Sequence, residues 1–180
     1  MLRLLHAILI GLVGAGIIHI VVLLLVPQFT EQDAWSRLAM SSGPYKVTRL
    51  DAESGGSPIV KSVDPLFYAA ACRFDLSDGV LQVSAKGYTP FWSVSVYNRA
   101  GENIYSFNDH TLPDGNIDFI VLSPAQLVDL RKEMPEGLEK SIYVESTANQ
   151  GMVVVRSFVP DDSWKKSVSD FLKGVTCAPQ

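Results

Sequence analysis

The chain has 180 residues, of which 47% are apolar and 19% are charged, and its formal net charge is −4. This length allows one ordinary domain plus an extra segment, and the positive mean hydropathy of +0.18 indicates a membrane segment rather than an evenly apolar fold. Beyond Val26 stand 14 basic and 19 acidic residues, a net charge of −5. Such an acidic body argues against nucleic acid as a partner, because binding a polyanion needs a basic face.

The first predicted element is a transmembrane helix. Residues 4–26 carry no formal charge at neutral pH, and the run is long enough to cross a bilayer core of about 30 Å. Small residues stand at 14–16, in the middle of the run, so we expect an uncleaved anchor and not a cleaved signal peptide. Arg3 precedes the run and Glu31 and Asp33 follow it, which predicts a bacterial inner-membrane protein with a cytoplasmic N-terminus and a periplasmic body.

Within this helix, Ala7, Gly11 and Ala15 recur every four residues and His19 follows one step further along. A stripe of small residues lets a second helix approach closely in lipid. Glycine and alanine are also common in membrane helices for no special reason, and the sequence leaves both interpretations open. The predicted partners are therefore the lipid bilayer and a membrane protein that contacts this helix.

We expect Pro27 to end the helix and Thr30, with Asp33 three residues later, to cap a short juxtamembrane helix. Trp35 on that helix suits either the lipid headgroup level or the base of the exported domain. The predicted organisation is an anchor at 1–27, a juxtamembrane helix and linker at 28–44, and a periplasmic β-rich domain at 45–180.

Short β-branched and aromatic segments, separated by Gly, Pro, Asp or Asn, follow one another through the domain. They predict strands at 45–50, 59–63, 66–74, 80–85, 91–98, 104–107, 117–122, 142–146 and 152–159. In the strand at 91–98, alternation places Trp92, Val94 and Val96 on one face, and Gly101 supplies the turn to the next strand. The fold class expected is mostly β, an antiparallel sandwich or sheet roll with two or three short helices.

Two helices are predicted between the strands. Ser123, Pro124 and Gln126 form a helix start, with an apolar stripe that runs to Pro135. The second helix begins after Pro160 and ends at Gly174. Its apolar residues at helical spacing are Trp164, Val168, Phe171 and Leu172. We expect each helix to pack its apolar stripe against the sheet.

Cys72 and Cys177 are the two cysteines. An oxidising compartment favours a disulfide between them, which would tie the C-terminal tail to the strand at 66–74. The alternative is two unrelated buried thiols. The sequence contains no CxxC or Cys/His grouping for metal or redox chemistry, so we predict no cofactor and no metal.

Polar residues gather after the central hairpin, at 108–110 and 114–118, where a metal or catalytic site could form. Asp114, Asn116 and Asp118 have the alternating spacing of a calcium loop, but the strand-like residues that follow favour a capped turn. His110 is the only histidine outside the anchor, so a hydrolase would have to use it with a nearby carboxylate. The sequence also leaves open a catalytic pair of carboxylates, for which the candidates near predicted strand ends are Asp75, Asp78, Glu102 and Asp109. We assign no catalytic residue.

Arg73 and Arg156 stand inside otherwise apolar strands. A charge in a strand either faces water by alternation or is buried and paired, and exposure is the default expectation. If both arginines converged on the face of Phe91 and Tyr97, they would form a surface for an anion or a glycan.

Several segments together carry a family resemblance: DPLF at 64–67, ACRFDL at 71–76, YTPFWSVSVY at 88–97, YSFND at 105–109, VVVR at 153–156 and the final Cys177. The chain resembles the small inner-membrane proteins of alphaproteobacteria known as domain of unknown function 1254. Its FWS-x-x-x-Y element is also similar to the sister domain of unknown function 1214. The resemblance implies an anchor, a β-rich exported domain and possible pairing with a companion chain of the sister family. We therefore expect a binding or assembly module of the cell envelope, with the His110 hydrolase as the alternative.

Overall fold

The computed structural model describes residues 2–51, 64–112, 114–132 and 141–180, and only the backbone of 27–33. The strand predicted at 59–63 and the apolar stripe beyond residue 132 lie outside these residues. Contacts along the chain divide it into two compact units, Met1–Ala34 and Trp35–Gln180.

The first element, α1, is one helix from Leu2 to Ser41. The prediction that Pro27 ends the helix is therefore wrong, and Thr30 does not cap a second one. Proline removes one backbone donor and crowds the preceding turn, which can bend a helix without ending it when the residues on both sides favour helix. By length and composition, the segment Leu2–Val26 is able to cross a membrane.

Nine strands in the described residues form two sheets, so the prediction of a mostly β fold is confirmed. They are β1 (Thr48–Arg49), β2 (Phe67–Asp75), β3 (Leu81–Ala85), β4 (Trp92–Asn98), β5 (Asn103–Asn108), β6 (Ile117–Leu122), β7 (Ile142–Glu145), β8 (Gln150–Phe158) and β9 (Thr176–Pro179). The five-stranded sheet is antiparallel in the order β1-β2-β8-β4-β5. The four-stranded sheet has the order β7-β6-β3-β9, and its β6 and β7 run parallel.

Side chains from both sheets share one core. Trp92, Val94 and Val96 of β4 are fully buried, as their alternation predicts. Phe107 of β5 packs edge-to-face against Trp92 at 6.0 Å and against Phe119 of β6 at 5.2 Å, and it thereby links the two sheets. The predicted hairpin is confirmed: β4 pairs with β5, and Gly101 in the turn has a φ of 85°.

Two strand predictions need correction. The strand expected at 45–50 contains only Thr48 and Arg49, because Tyr45 has a φ of 60°, outside the extended region. The C-terminal strand β9 was not predicted at all. Ala178 and Pro179 are residue types that are depleted in strands, and β9 forms by pairing with the buried strand β3, from Leu81↔Pro179 to Ser84↔Thr176.

The two predicted helices are present as α2 (Pro124–Lys132) and α3 (Lys165–Lys173). Ser123 and Gln126 form the predicted reciprocal cap, with N–H to side-chain oxygen distances of 2.8 and 3.3 Å. No residue of α2 is fully buried, so its packing is shallower than its sequence suggests. The second helix begins later than predicted, because Asp162–Trp164 form a 3₁₀ turn and Trp164 therefore precedes α3. The rest of the predicted stripe is confirmed, since Val168, Phe171 and Leu172 are buried.

The predicted disulfide is confirmed, since Cys72 and Cys177 are bonded. Cys72 belongs to β2 of the five-stranded sheet and Cys177 to β9 of the four-stranded sheet. The bond therefore joins the two sheets and holds the last strand, across a sequence separation of 105 residues.

Candidate functional site

The outer face of the five-stranded sheet carries three of the four residues predicted to bind a ligand. One cross-strand row runs from Arg73 on β2 through Met152 on β8 to Tyr97 on β4. Arg156 lies four residues along β8 from Met152, with Ser93 as its partner on β4. Because side chains alternate across a strand, Arg73, Tyr97 and Arg156 point to the same side, an arrangement that the sequence analysis raised only as a condition.

The final turns of α1 cover the half of this face that holds Arg73 and Tyr97. Leu38 is buried against the outer face in a small apolar cluster. The Arg73 guanidinium lies 5.3 Å from the centre of the Trp35 ring, and its Nη2 donates to the carbonyl oxygen of Ser42 at 2.7 Å. Arg73 is thus half-buried and engaged with the helix, instead of facing water as the default expectation held. Trp35 packs on the domain itself.

Among the described residues, no element covers the other half of the outer face, and we call this half the Arg156 shelf. It is formed by short side chains around an exposed arginine: Ala69, Ser93, Ser95, Ser106 and Arg156. Ser106 donates a hydrogen bond to Ser95 at 2.9 Å. Within the described residues, Arg156 makes no hydrogen bond or ion pair, so its charge is available to a ligand.

Phe91, the fourth predicted binding residue, directly precedes β4 and is half-buried. Its carbonyl oxygen accepts hydrogen bonds at 3.0 Å from the Ser157 hydroxyl and from the Phe158 N–H. These bonds hold the strand ends together. The structure therefore does not gather the four residues into one pocket, and Arg156 stands apart as the accessible cation.

His110 lies in a 3₁₀ turn, Asp109–Thr111, at the end of β5. Its side chain is 80% exposed, and its Nδ1 is 3.8 Å from the nearest carboxylate oxygen of Asp109, which is too long for a hydrogen bond. The backbone N–H of His110 donates to the Asn108 side chain at 3.1 Å, which caps the turn. The hydrolase interpretation stays a prediction, and it would have to work from an exposed imidazole.

Asp75 and Asp78 lie in one turn at the end of β2, whereas Asp109 lies beside His110. Asp75 accepts hydrogen bonds from the N–H and hydroxyl of Ser77 and, at 2.7 Å, from the side chain of Gln150. The bonds from Ser77 and then from Gln150 hold the pKa of Asp75 below its usual value. Glu102 bonds Asn98 at 2.6 Å in the hairpin turn. Among the described residues, no three His, Cys, Asp or Glu side chains converge as a metal site would require.

A cleft that the sequence analysis missed lies between α3 and the loop after β3. It has a volume of about 530 Å³. Its lining residues are Lys86, Gly87, Tyr88, Ser163, Lys166, Ser167, Asp170 and Phe171. Tyr88 is 76% exposed, and its ring lies 5.6 Å from the ring of Trp164. The two aromatic residues are far apart in sequence, so no local pattern could have joined them.

The family model described as "Protein of unknown function (DUF1254)" matches residues 49–179. The chain belongs to this family. The match covers the two-sheet domain from Arg49 in β1 to Pro179 in β9, and it includes both disulfide cysteines. No curated protein matches the chain significantly.

Two solved structures are similar to this chain. The VPA0106 protein from Vibrio parahaemolyticus is similar, with a TM-score of 0.52 and 11% identity over 65% of this chain. An uncharacterized protein from Burkholderia cenocepacia has a TM-score of 0.47 and 13% identity over 76% of this chain. The present chain spans 28% and 38% of the lengths of those two chains, respectively. At this identity, the first likeness shows the fold alone.

Proposed function

We propose that this protein is a single-pass inner-membrane protein whose disulfide-closed domain acts in the periplasm as a binding or assembly module of the cell envelope. The apolar segment Leu2–Val26 supports an anchor by its length and composition. The disulfide supports an exported domain, because such bonds persist in oxidising compartments. The cation before the segment and the acidic residues after it support a cytoplasmic N-terminus.

The Arg156 shelf is the observation that carries the binding role. The exposed Arg156 guanidinium has Ala69 and Ser93 as its cross-strand partners and the Phe67–Phe158 ring pair beside it on the same face, and it presents several N–H donors to a ligand. Such a surface suits an anionic group, including one carried by a glycan. We propose that Arg156 contacts the ligand. Arg73 and Tyr97 would contribute indirectly, because they hold the end of α1 on the neighbouring half of the same face.

The assembly role depends on the membrane segment. A Cβ added at Gly11 meets nothing within 4 Å in this chain, so the backbone at the small-residue stripe is open to a neighbour. We propose that a partner helix packs along Ala7, Gly11, Ala15 and His19. A companion chain of the sister family is the partner that the family resemblance favours.

Co-purification from native membranes tests the assembly role. The double variant Gly11→Leu and Ala15→Leu blocks close approach, and we expect it to lose the membrane protein that co-purifies with the wild type. Gly16→Leu is the matched control, because it adds the same bulk about 100° around the helix from Ala15, off the line of Ala7, Gly11 and Ala15. Loss of the partner in the control alone, or its retention in the double variant, would count against the proposed interface.

The binding role has its own test. Arg156→Ala should weaken retention of the purified full-length chain on isolated envelope glycans by about tenfold at low salt, since it removes a charged bidentate donor. Arg131→Ala is the matched control, an exposed arginine on α2. Equal retention of the two variants would contradict a role for the shelf.

A further inference from the structure

The cleft beside α3 is shallow, and it differs from the Arg156 shelf because aromatic side chains stand at its rim. The Ser167 hydroxyl donates to the Tyr88 carbonyl oxygen at 2.8 Å, which holds the backbone of Tyr88 on α3. The Tyr88 ring is 76% exposed and lies 5.6 Å from the Trp164 ring, so it offers an accessible aromatic face to a ligand.

Glycine makes this arrangement possible. Gly87 has a φ of 143°, and a Cβ built there would lie 3.3 Å from Cδ2 of Phe171. Without a side chain, the loop lies directly on α3, and Tyr88 is delivered to the rim of the cleft.

The charges in the cleft differ from those of the whole domain. Lys86 is exposed and makes no hydrogen bond or ion pair within the described residues, so its ammonium group is free. Lys166 bonds Asp170 at 2.7 Å across one turn of α3. Two cations and one carboxylate therefore line a cleft on a domain that is otherwise net acidic, and this favours a ligand that carries a negative charge.

We propose that this cleft binds an acidic carbohydrate, with a sugar ring stacked on Tyr88 and its carboxylate beside Lys86. The C–H groups on one side of a pyranose carry partial positive charge, which suits the negative face of an aromatic ring. The hydroxyls at the edge of the sugar find a donor in Lys166 and an acceptor in Asp170. The site is separate from the Arg156 shelf and does not depend on it.

Calorimetric titration of the full-length chain in phosphatidylcholine nanodiscs, a medium without sugar, tests the assignment. The probes are an oligogalacturonate, a neutral cello-oligosaccharide and polyglutamate. We expect the oligogalacturonate to bind with a Kd on the order of 0.1 mM, and the other two at least about fivefold more weakly.

Variants separate the aromatic and charged parts of the site. Tyr88→Ala should weaken oligogalacturonate binding by about tenfold, whereas Tyr88→Phe keeps the ring and should retain it. Lys86→Gln should weaken it by about threefold at low salt and by less at high salt. Tyr105→Ala and Lys132→Gln are matched controls on β5 and α2, and Arg156→Ala should also leave binding unchanged.

Three results would overturn the proposal: no oligogalacturonate binding at millimolar concentration, equal binding of polyglutamate or the neutral sugar, or full binding by Tyr88→Ala. Loss of binding in Arg156→Ala would show that the sugar binds at the Arg156 shelf, and it would also overturn the assignment to the cleft. The proposed membrane anchoring is untouched by these outcomes.

Discussion

At the scale of single residues, Tyr45 joins the start of the domain to the end of β2. Its hydroxyl donates to the carbonyl oxygen of Asp75 at 2.6 Å, and a carboxylate oxygen of Asp78 lies 3.0 Å away. The residue has a φ of 60°, a conformation that costs a bulky side chain energy and persists only when its surroundings hold it. These contacts explain why the chain turns here instead of continuing as a strand.

Tyr45→Phe tests the contribution of that hydroxyl. Removing it leaves the ring in place but deletes the hydrogen bond to Asp75, so we expect the free energy of unfolding to fall by about 1 kcal/mol. Chemical denaturation of the full chain in nanodiscs measures the change. Tyr105→Phe is the control, because Tyr105 is 44% exposed and its ring contacts do not involve the hydroxyl. Equal effects of the two variants would contradict the assignment.

Asp75 gives the residue-scale pH prediction. Its hydrogen bonds from Ser77 and Gln150 favour the ionised form, so its pKa in the folded state lies below the ordinary value of 3.8. The resulting stabilisation is complete well above pH 3.8 and is lost as the pH falls through the lower folded-state pKa.

We therefore expect Asp75→Asn to lower the thermal midpoint at pH 7 and to have a much smaller effect near pH 3. Thermal unfolding followed by near-ultraviolet circular dichroism at both pH values gives the comparison. The exposed Asp114 supplies the control substitution, Asp114→Asn. A difference between wild type and Asp75→Asn that grows as the pH falls would show that the sign is wrong.

At the scale of elements, the last turns of α1 pack on the outer face of the five-stranded sheet. Leu38 is 3% exposed and packs in the cluster that contains Ala71 and Val154, whereas Met40, two residues on, is 81% exposed. Leu38 and Met40 both favour helix but differ strongly in burial. Substituting each in turn therefore distinguishes the contribution of packing from that of helix propensity.

Leu38→Ala should cost about 2 to 3 kcal/mol of unfolding free energy, since it leaves a cavity against the outer face. Met40→Ala should change it by less than about 0.5 kcal/mol, because both residues favour helix and the side chain is in solvent. Denaturant unfolding of the two variants in parallel provides the measurement. If Leu38→Ala proved as mild as Met40→Ala, the helix end would not be packed on the sheet as described.

Local sequence predicted the elements that are decided locally. Alternation identified the buried face of β4, and the Ser123 and Gln126 pair identified the start of α2. Elements decided by distant partners were not predicted. The strand β9 exists because β3 pairs with it, and α1 passes Pro27 although proline usually marks a helix boundary.

The same distinction applies to the candidate sites. The register of the strands places Arg73, Tyr97 and Arg156 on one face, and the sequence alone could show neither this register nor that α1 covers the first two. The cleft of Tyr88 and Trp164 depends on a contact between a loop and a distant helix start. Only the folded arrangement brings those residues together.

At the scale of the whole molecule, the Cys72–Cys177 bond ties the two sheets together. Closing a loop of this length stabilises a fold mainly by restricting the unfolded chain, and loss of such a bond typically costs about 2 to 5 kcal/mol. The last strand β9 has only four residues, Thr176–Pro179, so the bond also secures a short edge of the second sheet.

The double variant Cys72→Ser and Cys177→Ser should therefore unfold at a markedly lower temperature than the wild type. Wild-type protein treated with dithiothreitol is the matched control and should show nearly the same loss. Thermal unfolding of the oxidised, reduced and double-variant chains makes the comparison. Identical midpoints for oxidised and reduced wild type would contradict a stabilising role for the bond.

The central claim is that the apolar helix stays attached and that the domain it carries reaches an oxidising compartment. Intact-mass spectrometry of the chain extracted from native membranes, after free thiols are trapped with N-ethylmaleimide, tests both parts in one measurement. The account predicts a chain of 19.7 kDa that retains Leu2–Val26 and carries no maleimide adduct. A chain that begins beyond residue 27, or one that carries two adducts, would contradict it.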